Sequence, residues 1–172
     1  MKFFSGFGFA NEWILFKDFL DRGEYTVAGF SYGAQKALRY ALELCRKGER
    51  IQKLQLLSPA YFNGLSRSIK QKEIVNFAKN PGTYMRFFYK KALYPATIDI
   101  KPFIKEPTLA ELKELLFFEW RGEELQELRD GKVEIEIYLG ELDKIVDTSK
   151  AHQFFKEYGV SYLIKGVGHL LR

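Results

Sequence analysis

Gly29-Phe30-Ser31-Tyr32-Gly33 places a serine at the centre of a Gly-x-Ser-x-Gly pentapeptide. It follows a short run with strand character, Tyr25 to Ala28. It opens a helical run whose apolar residues Ala34, Ala37, Leu38, Ala41 and Leu42 share one face and stop near Gly48. A strand–turn–helix of this kind strains the backbone at the serine and lifts its hydroxyl to the end of a sheet. The glycines allow strand and helix to approach closely. The alternative is a glycine-rich turn with an incidental serine. A serine hydroxyl is a weak nucleophile until a base takes its proton, and the chain has two histidines. His152 lies inside a helical run and reads as a partly exposed helix residue. His169 follows the last strand in a Gly-x-Gly-His loop, at the sheet end where Ser31 belongs, and is the expected base. An acid must hold the imidazole tautomer. Asp143 directly follows a clear strand, Val133 to Leu139. Asp147 reads as a helix N-cap and Glu141 as a weaker alternative. The developing oxyanion needs two backbone donors. Tyr32, next after the serine, supplies one. The loop Gly6-Phe7-Gly8-Phe9 is expected to supply the other, from Phe7.

These side chains need a scaffold. Phe3 to Ser5, Tyr25 to Ala28, Lys53 to Ser58, Val133 to Leu139 and Ser161 to Ile164 read as strands. Helices are expected over 11–22, with Asn11 as N-cap, from Ala34 to about Gly48, and over 148–158. Between Ser66 and Trp120 the chain reads as helices broken by Asn80-Pro81-Gly82 and Tyr94-Pro95. One of them opens with a Thr108-x-x-Glu111 capping box. The order implies an α/β fold with about five parallel strands and right-handed β-α-β crossovers. With every strand added on one side, the helices fall mainly on one face. Glu134, Glu136 and Tyr138 alternate with apolar neighbours, so the other face is expected to be polar and open to solvent.

Composition limits the function classes. In 172 residues, 47% are hydrophobic and 28% charged, as in one soluble domain. No apolar run is long enough to span a membrane and no signal peptide is recognisable at the start, so a cytoplasmic location is expected. One cysteine, Cys45, and two histidines leave no disulfide framework and little for a metal site. No cofactor is expected. The net charge of +5 is uneven: residues 46–105 hold thirteen Lys/Arg against three Asp/Glu, whereas residues 106–147 hold five against thirteen. Such a basic block suits an acidic partner, though a solvated face is the plainer reading. With no recognition motif, nucleic acid is not the expected partner.

The order Ser31…Asp143…His169 is that of the α/β-hydrolases, and the chain resembles that family nearly end to end. Ser5-Gly6-Phe7-Gly8 resembles its His-Gly-x-Gly oxyanion loop, with Ser5 in place of the histidine. Gly29-Phe30-Ser31-Tyr32-Gly33 resembles its nucleophile turn, Gly140-Glu141-Leu142-Asp143 its acid loop and Gly168-His169 its histidine loop. The family would imply a single hydrolase domain with a helical lid inserted over approximately residues 60–129. Against its usual pattern, the two strands that normally come first and the final helix are absent, which suggests a pared-down core. More narrowly, Phe3-Phe4-Ser5-Gly6-Phe7-Gly8-Phe9 and Gly29-Phe30-Ser31-Tyr32-Gly33-Ala34 resemble the pimeloyl-[acyl-carrier-protein] methyl ester esterases of the BioV type. Those enzymes remove a methyl group during biotin precursor synthesis.

That resemblance implies a carboxylesterase whose partner is an acyl carrier protein loaded with a pimeloyl methyl ester. Eight aromatic rings between Tyr61 and Tyr94 would line an acyl tunnel, or else form the lid's own core. Arg67, Lys70, Lys72, Arg86, Lys90 and Lys91 would then meet the acidic carrier and the phosphate of its pantetheine arm. Two other classes stay open: a general small-ester or thioester hydrolase, and a non-catalytic binding module on the same fold.

Overall fold

A computed structural model of the protein describes residues 1–172. Five parallel strands lie side by side in chain order: β1 (Lys2–Phe4), β2 (Thr26–Phe30), β3 (Lys53–Leu57), β4 (Glu134–Gly140) and β5 (Val160–Ile164). Six α-helices accompany them: α1 (Tyr32–Arg46), α2 (Arg67–Lys79), α3 (Pro81–Leu93), α4 (Leu109–Phe117), α5 (Gly122–Asp130) and α6 (Thr148–Phe155). The fold is α/β with a parallel sheet, as the sequence predicts.

Alternation along the strands sorts the helices onto faces. Val27, Leu54, Leu56, Ile135, Ile137 and Leu139 point to one side. There they pack with Ala34, Ala37, Leu38, Ala41 and Leu42 of α1, Leu125 and Leu128 of α5, and Ala151 and Phe155 of α6. This is the main core. Pointing the other way, Ala28, Phe30 and Leu57 form a second core with Phe9, Phe16, Leu20, Leu170 and Leu171.

That second core corrects two expectations. Residues 11–22 form no α-helix: a short 3-10 helix runs from Glu12 to Phe16 and gives way to turns. Asn11 is not a side-chain N-cap; it sits at φ 59° and makes no capping bond. The segment is nonetheless well packed, with Phe16 against Phe30 at 4.7 Å between ring centroids. It crosses the face opposite α1, α5 and α6. The β1–β2 connection therefore has the opposite hand to the other crossovers, because the strands advance in the same direction throughout. A connection without a regular helix escapes the packing argument that favours the right-handed form.

The expected open, polar face is also only partly open. Gln55 is 1% exposed beneath the 12–22 segment. Its Nε2 donates to the Phe19 carbonyl at 2.9 Å and to Glu136 at 2.7 Å, while its Oε1 accepts the Asp21 amide at 2.8 Å. Glu136 also accepts from Lys53 at 3.0 Å and from the Tyr138 hydroxyl at 2.9 Å. Polar strand residues here bond to one another and to the covering chain. The exposed strand residues are Lys2 at the start of β1, Glu134 at the start of β4, and Val160, Tyr162 and Leu163 of the edge strand β5.

Between β3 and β4 the chain makes its helical excursion. The Thr108–Glu111 capping box forms in full at the start of α4. Gln35 of α1 donates to the carbonyls of Ala60 and Leu115, and Trp120 Nε1 donates to Ala60. These bonds fasten α4 and its flanks over the carboxyl ends of β2 and β3. The last helix of the excursion, α5, packs on the sheet itself. No helix is long and apolar enough to cross a membrane.

Candidate active site

Ser31 sits between β2 and α1 at φ 54° and ψ −114°, a backbone conformation that L-residues hold only when surroundings enforce it. The enforcement is visible in two glycines. A β-carbon on Gly29 would run into the Gly33 carbonyl, and one on Gly33 into the carbonyl of Phe4. The Ser31 amide donates to Leu57 and its carbonyl accepts from Ala60, fixing the turn against β3.

Ser31 Oγ lies 2.9 Å from His169 Nε2, and His169 Nδ1 lies 2.6 Å from Asp143 Oδ2. A carboxylate can only accept, so Nδ1 carries the proton and donates to Asp143. Nε2 of the neutral ring is then free to accept the serine hydroxyl. The side chains of His169 and Asp143 are fully buried. Asp143 is fixed through its other oxygen, Oδ1, which accepts the amides of Ile145 at 2.7 Å and Val146 at 3.1 Å. The acid and histidine loops lie against one another because Gly140 has no side chain to strike the Gly168 carbonyl. Asp147 instead caps α6, accepting the Lys150 amide. Glu141 accepts the Gly166 amide, and His152 Nδ1 pairs with Ser161 Oγ. No three His, Cys, Asp or Glu side chains come together in a way that could hold a metal ion.

The Tyr32 amide is the first of α1, so it has no partner within the helix. The Tyr32 side chain points elsewhere, donating to Glu114 at 2.6 Å. Burial, then this bond, push its phenol well above the ordinary tyrosine range. In the loop after β1, the Gly6 amide donates to Glu12, the Gly6 carbonyl accepts from Phe9, and the Gly8 carbonyl accepts from the Tyr89 hydroxyl and the Lys105 amide. The Phe7 amide has no protein partner, and Phe7 lines the same cavity as Ser31.

That cavity has a volume of about 770 Å³. Of the eight rings expected to line a tunnel, Tyr61, Phe62, Tyr84, Phe87 and Phe88 do so. Phe77 is buried in the lid's own core, Tyr89 ties α3 to Gly8, and Tyr94 lies exposed under Lys144. The expected basic rim needs correction. Lys70 is 7% exposed, with its ammonium over the Phe117 ring at 5.6 Å, so it is unavailable to a carrier phosphate. Arg67, Arg86 and Lys90 are exposed but do not line the cavity, whereas Lys91 does. Lys79, Lys144 and Lys150 line it too, with nothing in their sequence spacing to mark their convergence there.

No family model and no curated protein sequence matches the chain. Solved structures do. The carboxylesterase CesB (YbfK) from Bacillus subtilis aligns at a TM-score of 0.51 and 20% identity, over 85% of this chain and 53% of that one. A bromoperoxidase from Bacillus anthracis aligns at 0.59 and 17%, over 85% and 60%. BioG from Haemophilus influenzae aligns at 0.58 and 12%, over 98% and 87%. The chain spans about half the length of the Bacillus subtilis carboxylesterases it resembles. At such identities the likeness is one of architecture, and that architecture is the α/β-hydrolase fold.

Proposed function

We propose that the protein is a serine carboxylesterase that hydrolyses the methyl ester of pimeloyl-[acyl-carrier protein]. The observation that carries the esterase reading is the chain of contacts from Ser31 through His169 to Asp143, at 2.9 and 2.6 Å, opening on a largely apolar cavity. His169 Nε2 takes the hydroxyl proton as Ser31 Oγ attacks the ester carbonyl. The amides of Phe7 and Tyr32 receive the oxyanion. His169 then gives its proton to the departing methoxide, and methanol leaves an acyl-enzyme. A water deprotonated by His169 attacks that ester, and the acid is released as Ser31 recovers its proton.

Three observations support the substrate. The cavity volume falls within the range of small-molecule sites. Lys79, Lys91, Lys144 and Lys150 line it and suit a phosphate or carboxylate. The resemblance to BioG extends over nearly the whole of this chain. The deciding experiment compares hydrolysis of pimeloyl methyl ester on and off the carrier, with Ser31→Ala as control. Faster turnover on the carrier, lost in Ser31→Ala, is expected. Equal turnover of carrier-bound and free ester removes the carrier from the proposal. Turnover retained in Ser31→Ala removes the serine mechanism.

A second reading, a general small-ester or thioester hydrolase, is favoured by one observation. Lys70, Arg67, Arg86 and Lys90 stand away from the cavity, so the basic block is less focused on Ser31 than the carrier reading requires.

A further inference from the structure

Glu12 has no role in the chemistry described so far. It is the first residue of the 3-10 helix that follows the loop Gly6-Phe7-Gly8-Phe9, and it is 0% exposed. Burying a carboxyl without a counter-charge is costly, and no lysine or arginine pairs with this one. Oε1 accepts the Gly6 amide at 2.7 Å; Oε2 is buried with no partner. Burial raises the proton affinity of the group, and the bond from the Gly6 amide only partly offsets this. A leucine would fill the same space more favourably. The side chain that is present makes one bond to one peptide.

That peptide adjoins Phe7. The loop is fastened at each neighbouring group: Gly6 by Glu12 and Phe9, Gly8 by Tyr89 and Lys105. A β-carbon on Gly6 would lie 2.6 Å from the Phe30 ring, so the loop rests flush on Phe30, whose ring in turn stands 5.1 Å from that of His169. The Phe7 amide is thus held from both sides and left free.

We propose that Glu12 is a positioning residue: its carboxyl holds the Gly6 amide so that the adjoining Phe7 amide stays aimed at the oxyanion formed at Ser31. The inference rests on the serine-esterase reading. Oxyanion donors act because they are already in place when charge develops. A loop released at Gly6 would have to be reorganised in every turnover.

Glu12→Leu keeps the volume and deletes the acceptor; Glu12→Gln keeps an acceptor oxygen. With p-nitrophenyl acetate, kcat of Glu12→Leu should fall about 100-fold, the scale of a misplaced catalytic group. KM should stay within about threefold in both variants, and Glu12→Gln should keep kcat within about threefold of wild type. Wild-type kcat in Glu12→Leu, or a Glu12→Gln as slow as Glu12→Leu, overturns the inference. Amide exchange followed by NMR on the unmodified protein tests it even if the leucine variant does not fold: Gly6 should be protected and Phe7 not, and an unprotected Gly6 overturns it. A wild-type protein that turns over no ester overturns the esterase reading instead, and a protected Gly6 would then still establish the Glu12 bond.

Discussion

Asp143 is held by two backbone amides through one oxygen and holds His169 through the other, so its two functions can be separated by substitution. Asp143→Asn retains an acceptor for Ile145 and Val146 but favours the wrong imidazole tautomer. Turnover of a simple ester should fall about 10⁴-fold with the melting temperature little changed, as kinetics and calorimetry would show. The residues that meet at Ser31 are legible in the sequence because few candidates exist and each follows a strand. Lys70 is misread there, although a signal was present: it falls on the same helical face as the buried Ile74 and Phe77. Glu12 carries no such signal. A carboxylate beside an asparagine reads as solvent-facing, and only the tertiary fold shows it turned onto Gly6.

At the scale of elements, the close approach of α1 to β1 depends on Gly33. Gly33→Ala would drive a methyl into the Phe4 carbonyl and should destabilise the fold by about 1–3 kcal/mol in urea unfolding, with activity lost alongside. The polar side of the sheet gives a pH-dependent prediction. Burial alone would raise the Glu136 carboxyl, but hydrogen bonds from Gln55, Lys53 and Tyr138 outweigh it and hold the group below its ordinary 4.5. Such a group stabilises the fold above that value and loses its contribution as pH falls through it and below. Glu136→Gln should therefore unfold at lower urea than wild type near pH 7, and the gap should narrow as the pH is lowered through and below 4.5. Glu12 has the opposite sign: its raised proton affinity favours the folded state at low pH, and that contribution fades as pH rises. The strands and α1, α4 and α6 are readable from alternation, periodicity and caps. The 12–22 segment is not, because its apolar spacing suits a helix while its backbone follows the surface of β1–β3.

For the molecule as a whole, the uneven charge predicts a salt effect that depends on substrate. Raising ionic strength from about 0.05 to 0.5 M should increase KM for a carrier-bound ester through loss of long-range attraction, and leave a neutral free ester nearly unaffected. A salt response shared by both esters would assign the basic block to a solvated surface. The sheet order and the helical excursion are legible in the whole sequence, since both follow from the succession of elements. The lining of the cavity is not. Lys79, at the end of α2, is far in the chain from Lys144 and Lys150, and only the placement of α2 and α3 over the sheet brings them to one space.

The Tyr89 hydroxyl lies 2.7 Å from the Gly8 carbonyl and connects α3 directly to the loop that carries the Phe7 amide. Burial pushes that phenol up to about 12, so it stays a donor throughout the working pH range. The roof of the cavity and the loop that carries Phe7 are consequently tied together. A displacement of α3 large enough to widen the entrance would also slacken the loop beneath it. Whatever moves the roof therefore also moves the loop that lies beside Ser31.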